Sequence, residues 1–174
     1  PTGSAPSIGT AGDDTLGGAT SLGLGGNDTI RGGTRQIGGP GDDYLERGRT
    51  IVFGRGDGHD TVQLYNSASR RTVGTLLSWI EMGPGVTASD LALGVDGRDL
   101  LVTIRDTGDS IRVTDNFDRV GSFPTYEYEF AVAGIRFADG STLDFNAILD
   151  GIGVGSDGDD RIGSASVVWD TINA

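Results

Sequence analysis

The chain has 174 residues, with 25 acidic against 13 basic side chains and a net charge of −12, which sets its surface against phosphate backbones and against nucleic-acid binding through a basic face. Its 31 glycines follow no every-third-residue period, which excludes collagen, and no cysteine is present, which excludes disulfides and thiolate metal sites. No apolar run approaches the roughly 18 residues of a transmembrane helix, and no charged-then-apolar leader opens the sequence.

The first sixty residues are repetitive. Residues 9–17 read GTAGDDTLG, 23–31 GLGGNDTIR, 38–46 GGPGDDYLE and 55–63 RGDGHDTVQ; a fifth copy, GSDGDDRIG, occupies 155–163. Each copy has Gly at the fourth place, Asp at the sixth and an aliphatic residue at the eighth, fitting G-G-x-G-x-D-x-U-x with U a large apolar residue. The glycines permit a sharp turn with positive φ and leave backbone carbonyls free to converge on a cation. The sixth-place Asp adds a carboxylate, and the residues after it form a short strand that turns one aliphatic side chain inward. A donor set of carbonyls and carboxylates suits Ca²⁺ and suits Zn²⁺ poorly.

On these residues the chain resembles the repeats-in-toxin (RTX) calcium-binding proteins, most strongly over 9–63. The resemblance implies an all-β fold: a short parallel β-roll followed by a strand-rich capping segment. It implies Ca²⁺ between successive turns on one edge, at three places: between 9–14 and 23–28, between 23–28 and 38–43, and between 38–43 and 55–60. The implied ligands are Gly9, Ala11, Gly12 and Asp14 in the first turn and Gly23, Gly25, Gly26 and Asp28 in the second. In the third they are Gly38, Pro40, Gly41 and Asp43, and in the fourth Asp57, Gly58 and Asp60. Gly155, Asp157 and Asp160 are their counterparts in the distant copy. The fourth turn departs from the pattern, with Arg55 at the first place and His59 at the fifth; His59 reads as a turn residue, and Asp57 as a second carboxylate for the last site.

The motif aspartates are 14, 15 and 17 residues apart, against about 18 for two nine-residue half-turns. The intervening segments 17–22, 32–37 and 48–53 lack the sixth-place Asp. The spacing therefore predicts calcium turns on one edge and short metal-free turns on the other, with Leu16, Leu22, Ile30, Ile37, Leu45, Val52 or Phe53, and Val62 pointing inward.

Beyond Val62 the repeats stop. A polar loop is expected over 64–74, then strands at 75–80, 91–95, 100–104 and 110–115, a loop, one strand over 126–137, and a short helix at 144–150 with Asp144 as N-cap. FGRGDGHDTV, DLALGVDGRDLLVTI, GDSIRVTDNF and IRFADGSTLD follow the order of the haemolysin-type calcium-binding-related segment, with DNF in place of its tryptophan-rich element. That resemblance implies a cap over the end of the roll, with Trp79, Ile104, Val113, Phe130, Ile135 and Phe137 covering it. Residues 155–168 align with 9–22 at an offset of 146, six of fourteen positions being identical. The domains read as 1–63 roll, 64–152 cap, and 153–174 the start of a further repeat or a returning tail, so the chain reads as a piece of a longer protein.

The Asp pairs 13/14, 42/43 and 159/160 are explained by the calcium register rather than as catalytic dyads. There is no nucleophile turn, no phosphate loop and no lysine, so no enzymatic activity is expected. Arg47, Arg49, Arg55, Arg70 and Arg71 read as solvated charges offsetting an acidic roll, the sharper alternative being a patch for anionic glycans. Trp79, Tyr126 and Tyr128 read as packing residues, with sugar stacking as the alternative. The function expected is that of a calcium-binding module that folds on Ca²⁺ outside the cell. Resemblance to the family implies a secreted bacterial protein exported unfolded by type I secretion, with adjacent RTX modules as partners. The alternative is a glycan-binding module that meets a glycan or a host cell surface, as in RTX adhesins or polysaccharide-acting enzymes.

Overall fold

The computed structural model describes residues 5–64, 78–122 and 125–152. Residues 65–74 of the loop expected over 64–74, with Arg70 and Arg71, the start of the strand expected at 75–80, and the tail with Gly155, Asp157 and Asp160 lie outside the described residues.

Eight short strands build the roll: β1 (Ser7–Ile8), β2 (Thr15–Gly17), β3 (Thr20–Leu22), β4 (Thr29–Arg31), β5 (Arg35–Ile37), β6 (Tyr44–Glu46), β7 (Thr50–Phe53) and β8 (His59–Gln63). Odd strands stack in parallel as one sheet and even strands as the other, so the chain winds between two facing sheets. The long turns after odd strands carry the Gly–Asp motifs. The tight turns after even strands carry none.

Central positions of the even strands point inward as expected: Ile30, Leu45 and Val62 are fully buried. In the odd strands the inward residues are Ser21, Gln36 and Ile51 instead, and the expected Leu22 and Ile37 face outward, half-buried; of the expected Val52 or Phe53, Phe53 is fully buried and Val52 is not. The error is a one-residue slip, which in a period-two element exchanges the faces. Its physical cause is Gln36. Its amide donates to the carbonyls of Gly32 at 2.8 Å and Glu46 at 2.9 Å, satisfying backbone acceptors that an aliphatic residue would leave bare.

The segment after the roll is woven into it. β9 (Ser78–Met82) pairs in parallel with β7, and β15 (Val132–Arg136) pairs in parallel with β9. In the other sheet β10 (Leu91–Asp96), β11 (Asp99–Ile104) and β12 (Ser110–Val113) form an antiparallel meander, and β12 pairs in parallel with β8. The edges of β7 and β8 are therefore continued as well as covered, which satisfies the N–H and C=O groups a finished roll would expose.

The expected single strand over 126–137 is two: β14 (Thr125–Phe130), paired with β13 (Phe117–Ser122), and β15 in another sheet. The break falls at the buried Ala131, where the Asn116 side-chain oxygen accepts from Ala131 N–H at 3.2 Å and Val132 N–H at 3.1 Å. β16 (Thr142–Asp144) leads into α1 (Phe145–Gly151), whose N-cap Asp144 accepts from Ala147 N–H at 2.8 Å, as expected. Ile104, Val113, Ile135 and Phe137 are buried in one core continuous with that of the roll. Trp79 is only half-buried and carries the Arg136 guanidinium 3.9 Å from its ring centre. Among the described residues no helix is long and apolar enough to cross a membrane.

Candidate metal centre

The four motif turns stack on one edge, and two hydrogen-bond ladders tie them together. In the inner ladder the sixth-place N–H donates to the carboxylate of the following turn: Asp14 to Asp28 Oδ1 at 2.8 Å, Asp28 to Asp43 Oδ1 at 2.7 Å and Asp43 to Asp60 Oδ1 at 3.1 Å. In the outer ladder the fifth-place N–H donates to the side chain of the preceding turn: Asn27 to Asp13 at 2.7 Å, Asp42 to Asn27 at 2.9 Å and His59 to Asp42 at 2.9 Å. The repeat motif leaves the fifth place unspecified. The run Asp13, Asn27, Asp42 was the available signal, since Asn and Asp side chains bond neighbouring backbone. His59 ends this ladder as the first residue of β8 rather than in the turn where it was expected, with its Nδ1 2.9 Å from Ser110 Oγ.

Each inner carboxylate spends one oxygen on the ladder. The other oxygen of Asp28, Asp43 and Asp60 is buried and has no hydrogen-bond partner, and the three residues are 1%, 2% and 2% exposed. Burial pushes the Asp28 carboxyl above its usual range, Asp43 up to about 6 and Asp60 up to about 8. Neighbouring aspartates add to the effect, and the ladder bonds oppose it. An unpartnered buried carboxylate oxygen is an expensive feature in a stable fold, and a cation beside it removes the cost.

The glycines define the space around those oxygens. A Cβ on Gly23 would overlap both Asp28 Oδ2 and the Gly38 carbonyl, so these two oxygens face one small cradle between the second and third turns. A Cβ on Gly9 would fall between the Gly23 carbonyl and Asp14 Oδ2, and one on Gly38 would overlap Asp43 Oδ2. Fourth-place glycines serve a different purpose: Gly26, Gly41 and Gly58 lie against the backbone of the preceding turn, where a Cβ would overlap Gly12, Gly26 and Gly41 in succession. Third-place carbonyls carry the stack too, Pro40 accepting from Gly26 N–H and Asp57 from Gly41 N–H, each at 3.0 Å.

Two turns differ from the pattern. In the first, Asp14 Oδ2 is already engaged by Thr10 N–H at 2.6 Å and Thr10 Oγ1 at 2.9 Å, so its acceptor is less open than those of Asp28 and Asp43. In the fourth, strand register sets Val52 beside Ile37 and so brings Phe53, not Arg55, next to Gly38 at the first place. The two extra residues of the 17-residue spacing are absorbed as a turn at Arg55–Gly56, closed by Gly54 N–H donating to Asp57 Oδ2 at 2.7 Å. Asp57 is near enough to raise both Asp43 and Asp60 electrostatically, and burial raises its own carboxyl. The loop after β11 then lies over the fourth turn: Asp109 accepts from Gly56 N–H at 2.7 Å and Gly58 N–H at 3.1 Å, a contact the sequence reading missed.

Among the described residues no group of three His, Asp or Glu side chains converges on one point. The donors present are single carboxylates with backbone carbonyls, a hard-oxygen set that fits Ca²⁺. Two of the arginines of the expected cluster are ion-paired. Arg47 pairs with Glu46 at 3.0 Å, and Arg55 bridges Asp90 at 3.2 Å and Asp106 at 3.0 Å.

Residues 99–147 match the family described as haemolysin-type calcium binding protein related domain. The iron-regulated protein FrpA of Neisseria meningitidis serogroup C is 33% identical over 113 residues, a stretch that takes in 65% of this chain and 9% of that protein. The chain thus spans about a tenth of that relative's length. The crystal structure of the extracellular lipase LipA from Serratia marcescens is 22% identical, with a TM-score of 0.45 over 62% of this chain and 18% of its own. Through the family match over residues 99–147 the chain is similar to haemolysin-type calcium-binding proteins, and Ca²⁺ is the ion that likeness brings.

Proposed function

We propose that this is a non-catalytic module whose folding is driven by Ca²⁺ taken up between the stacked motif turns, in a secreted bacterial protein exported unfolded and folded outside the cell. One observation carries the reading: the unpartnered, buried oxygens of Asp28, Asp43 and Asp60, regularly spaced along a single edge. Asp28 with the Gly38 carbonyl, and Asp43 with Asp57, would hold the inner ions; Asp14 with the Gly23 carbonyl would hold an outer one after Thr10 yields its hydrogen bonds. Bound Ca²⁺ supplies the counter-charge that lets stacked carboxylates ionise in a buried row. The chain supplies the rest. Its glycines bring the turns close, its ladders hold the carboxylates in register, and its aliphatic rungs bury apolar surface only once stacked.

The test is far-ultraviolet circular dichroism with calorimetric titration of the metal-freed chain. A β-type spectrum should develop as Ca²⁺ rises toward the roughly 10⁻⁴–10⁻³ M affinities of extracellular calcium modules. A folded spectrum in demonstrably metal-free buffer, unchanged on adding Ca²⁺, would refute the proposal.

A further inference from the structure

Beyond the fourth turn the stack continues as a rung made of two separate pieces. β9 and β12 pair in parallel with β7 and β8, the last strands of the roll, but β10 and β11 are inserted between them in the chain. Both halves of a motif turn are nevertheless present. Met82 lies level with Phe53, at the first place, and Met82-Gly83-Pro84-Gly85 repeats Gly38-Gly39-Pro40-Gly41 with one change. Gly83 N–H donates to the Phe53 carbonyl at 2.8 Å. Gly85 has φ +80°, close to the +95° of Gly26 and +91° of Gly58 at the fourth place. On the other strand Ser110 lies level with His59 and Ile111 with Asp60, the fifth and sixth places. A buried aliphatic side chain thus stands where each earlier turn has its inner carboxylate.

A positive charge from the protein itself enters this split rung. Arg55 belongs to the turn at Arg55–Gly56 that absorbs the two extra residues of the fourth repeat. Its Nη1 donates to the Gly85 carbonyl at 2.6 Å, its Nη2 lies 3.2 Å from Asp90 Oδ2, and its Nε donates to Asp106 Oδ2 at 3.0 Å and Oδ1 at 3.2 Å. Gly85 is the fourth place of the split rung. Asp90 ends the single 3-10 turn Ala88–Asp90 ahead of β10, and Asp106 sits in the loop after β11 that also carries Asp109. One guanidinium therefore gathers a carbonyl and two carboxylates from three segments, the type of oxygen donor set the calcium turns present to a cation. Asp90 is oriented from its own side, since it accepts from Thr87 N–H at 2.9 Å and Thr87 Oγ1 at 3.0 Å. Arg55 also lies between Gly54 and Asp57, whose 2.7 Å bond closes the fourth turn, so holding its side chain holds the turn that presents Asp57.

We propose that Arg55 is the built-in cation of this split fifth rung, a positioning residue that keeps the last calcium turn closed by doing for Gly85, Asp90 and Asp106 what Ca²⁺ does between the earlier turns. The proposal rests on the calcium-turn reading above. The side chains of Arg55, Asp90 and Asp106 are 30%, 32% and 58% exposed, so the clasp is open to screening by salt.

Full-length variants test it through the calcium midpoint, followed by circular dichroism. Arg55→Gln should raise the midpoint by about threefold or more, and Arg55→Lys, which keeps the charge without the fork, should recover part of that loss. Asp106→Asn should raise it too, yet add almost nothing once Arg55 is already Gln. The advantage of the unaltered chain over Arg55→Gln should shrink between about 0.05 and 0.5 M NaCl. Additive effects of Arg55→Gln and Asp106→Asn, a lysine variant no better than the glutamine one, or an advantage indifferent to salt would each overturn the proposal. Where Arg55→Gln does not fold, Asp106→Asn, on the most exposed side chain of the three, carries the salt comparison instead. An unaltered chain whose spectrum ignores Ca²⁺ overturns the calcium reading alone, and the thermal midpoints of the same proteins, compared in the same cycle and across the same salt range, then decide the clasp.

Discussion

Burial pushes the Asp60 carboxyl up to about 8 and Asp43 up to about 6, and it raises Asp28 as well, each from an ordinary value near 3.8. A carboxyl whose folded value exceeds its unfolded one binds its proton more tightly when folded. Its contribution is therefore most favourable below about 4 and is lost as pH rises through 6 and 8. In calcium-free buffer the residual β signal and thermal midpoint should fall between pH 5 and pH 8. With millimolar-range Ca²⁺ the trend should reverse, because the same proton competes with the metal. Circular dichroism melts at both pH values, with and without Ca²⁺, check this; a calcium-free chain that gains stability toward pH 8 contradicts it. At the same scale, Asp28→Asn or Asp43→Asn should shift the calcium midpoint upward by about tenfold or more, since each removes the ionised oxygen at a cradle. The fitting control on the opposite edge is Arg35→Gln, which alters an exposed-rim pair with Glu81 and should leave the midpoint nearly unchanged. Gln36 cannot serve as that control, because its amide holds three backbone carbonyls inside the roll.

Each motif turn works as an element because its glycines let it lie directly against the backbone of the turn before it. Gly39 has φ +96° and Gly26 φ +95°, in the left-handed region, and a Cβ at either would overlap the backbone of the preceding turn. Gly39→Ala should therefore destabilise the calcium-loaded form by about 2–4 kcal/mol, through strain and a clash that no side-chain rotation relieves. Gly32→Ala, also at positive φ but with open space around it, should cost about 1 kcal/mol. Denaturant melts at saturating Ca²⁺ measure both, and equal losses would show that stacking contact is not what Gly39 protects. The turns were legible in sequence because glycine and aspartate at fixed places have few physical substitutes. So were the even strands, whose inward residues Ile30, Leu45 and Val62 are aliphatic. The odd strands were not, since Ser21 and Gln36 face inward and leave no hydrophobic mark at the inward place. The division of 125–136 into two strands was equally hidden, because it depends on Asn116, far from the break in sequence, meeting the Ala131 and Val132 N–H groups. The first-place residue of the fourth turn was misread for a related reason: two inserted residues shift the count, and only the pairing of Val52 with Ile37 restores it.

For the whole molecule, the roll and the segment after it share both sheets and one core, so neither should be a free-standing unit. β7 and β8 would end a chain of residues 1–63 with two open parallel edges. In the intact molecule β9 and β12 pair with those edges, and the loop bearing Asp109 closes the last motif turn by accepting from Gly56 and Gly58. The fully buried Phe53 and Val62 belong to the same cluster as Ile80, Met82, Ile111 and Val113, and removing the latter residues exposes the former. At about 25 cal/mol per Å² of apolar surface, uncovering a few such side chains costs several kcal/mol. That is comparable to the whole stability of a small domain, and a stack of so few rungs has little cooperative surplus to absorb it. A polypeptide of residues 1–63 should accordingly bind Ca²⁺ weakly, with no cooperative transition even far above the midpoint of the intact chain, whereas residues 1–152 should fold with it. Asp109→Ala in the full chain gives the intermediate case: the Gly56 and Gly58 N–H groups of the last turn lose their acceptor while the cap remains, so the calcium midpoint should rise with cooperativity kept. Calcium titrations of the three proteins, followed by circular dichroism and calorimetry, read out both quantities. A sharp, calcium-dependent transition in residues 1–63 alone would show that the roll closes its own end, and the strands from β9 onward would then require a role other than completing it.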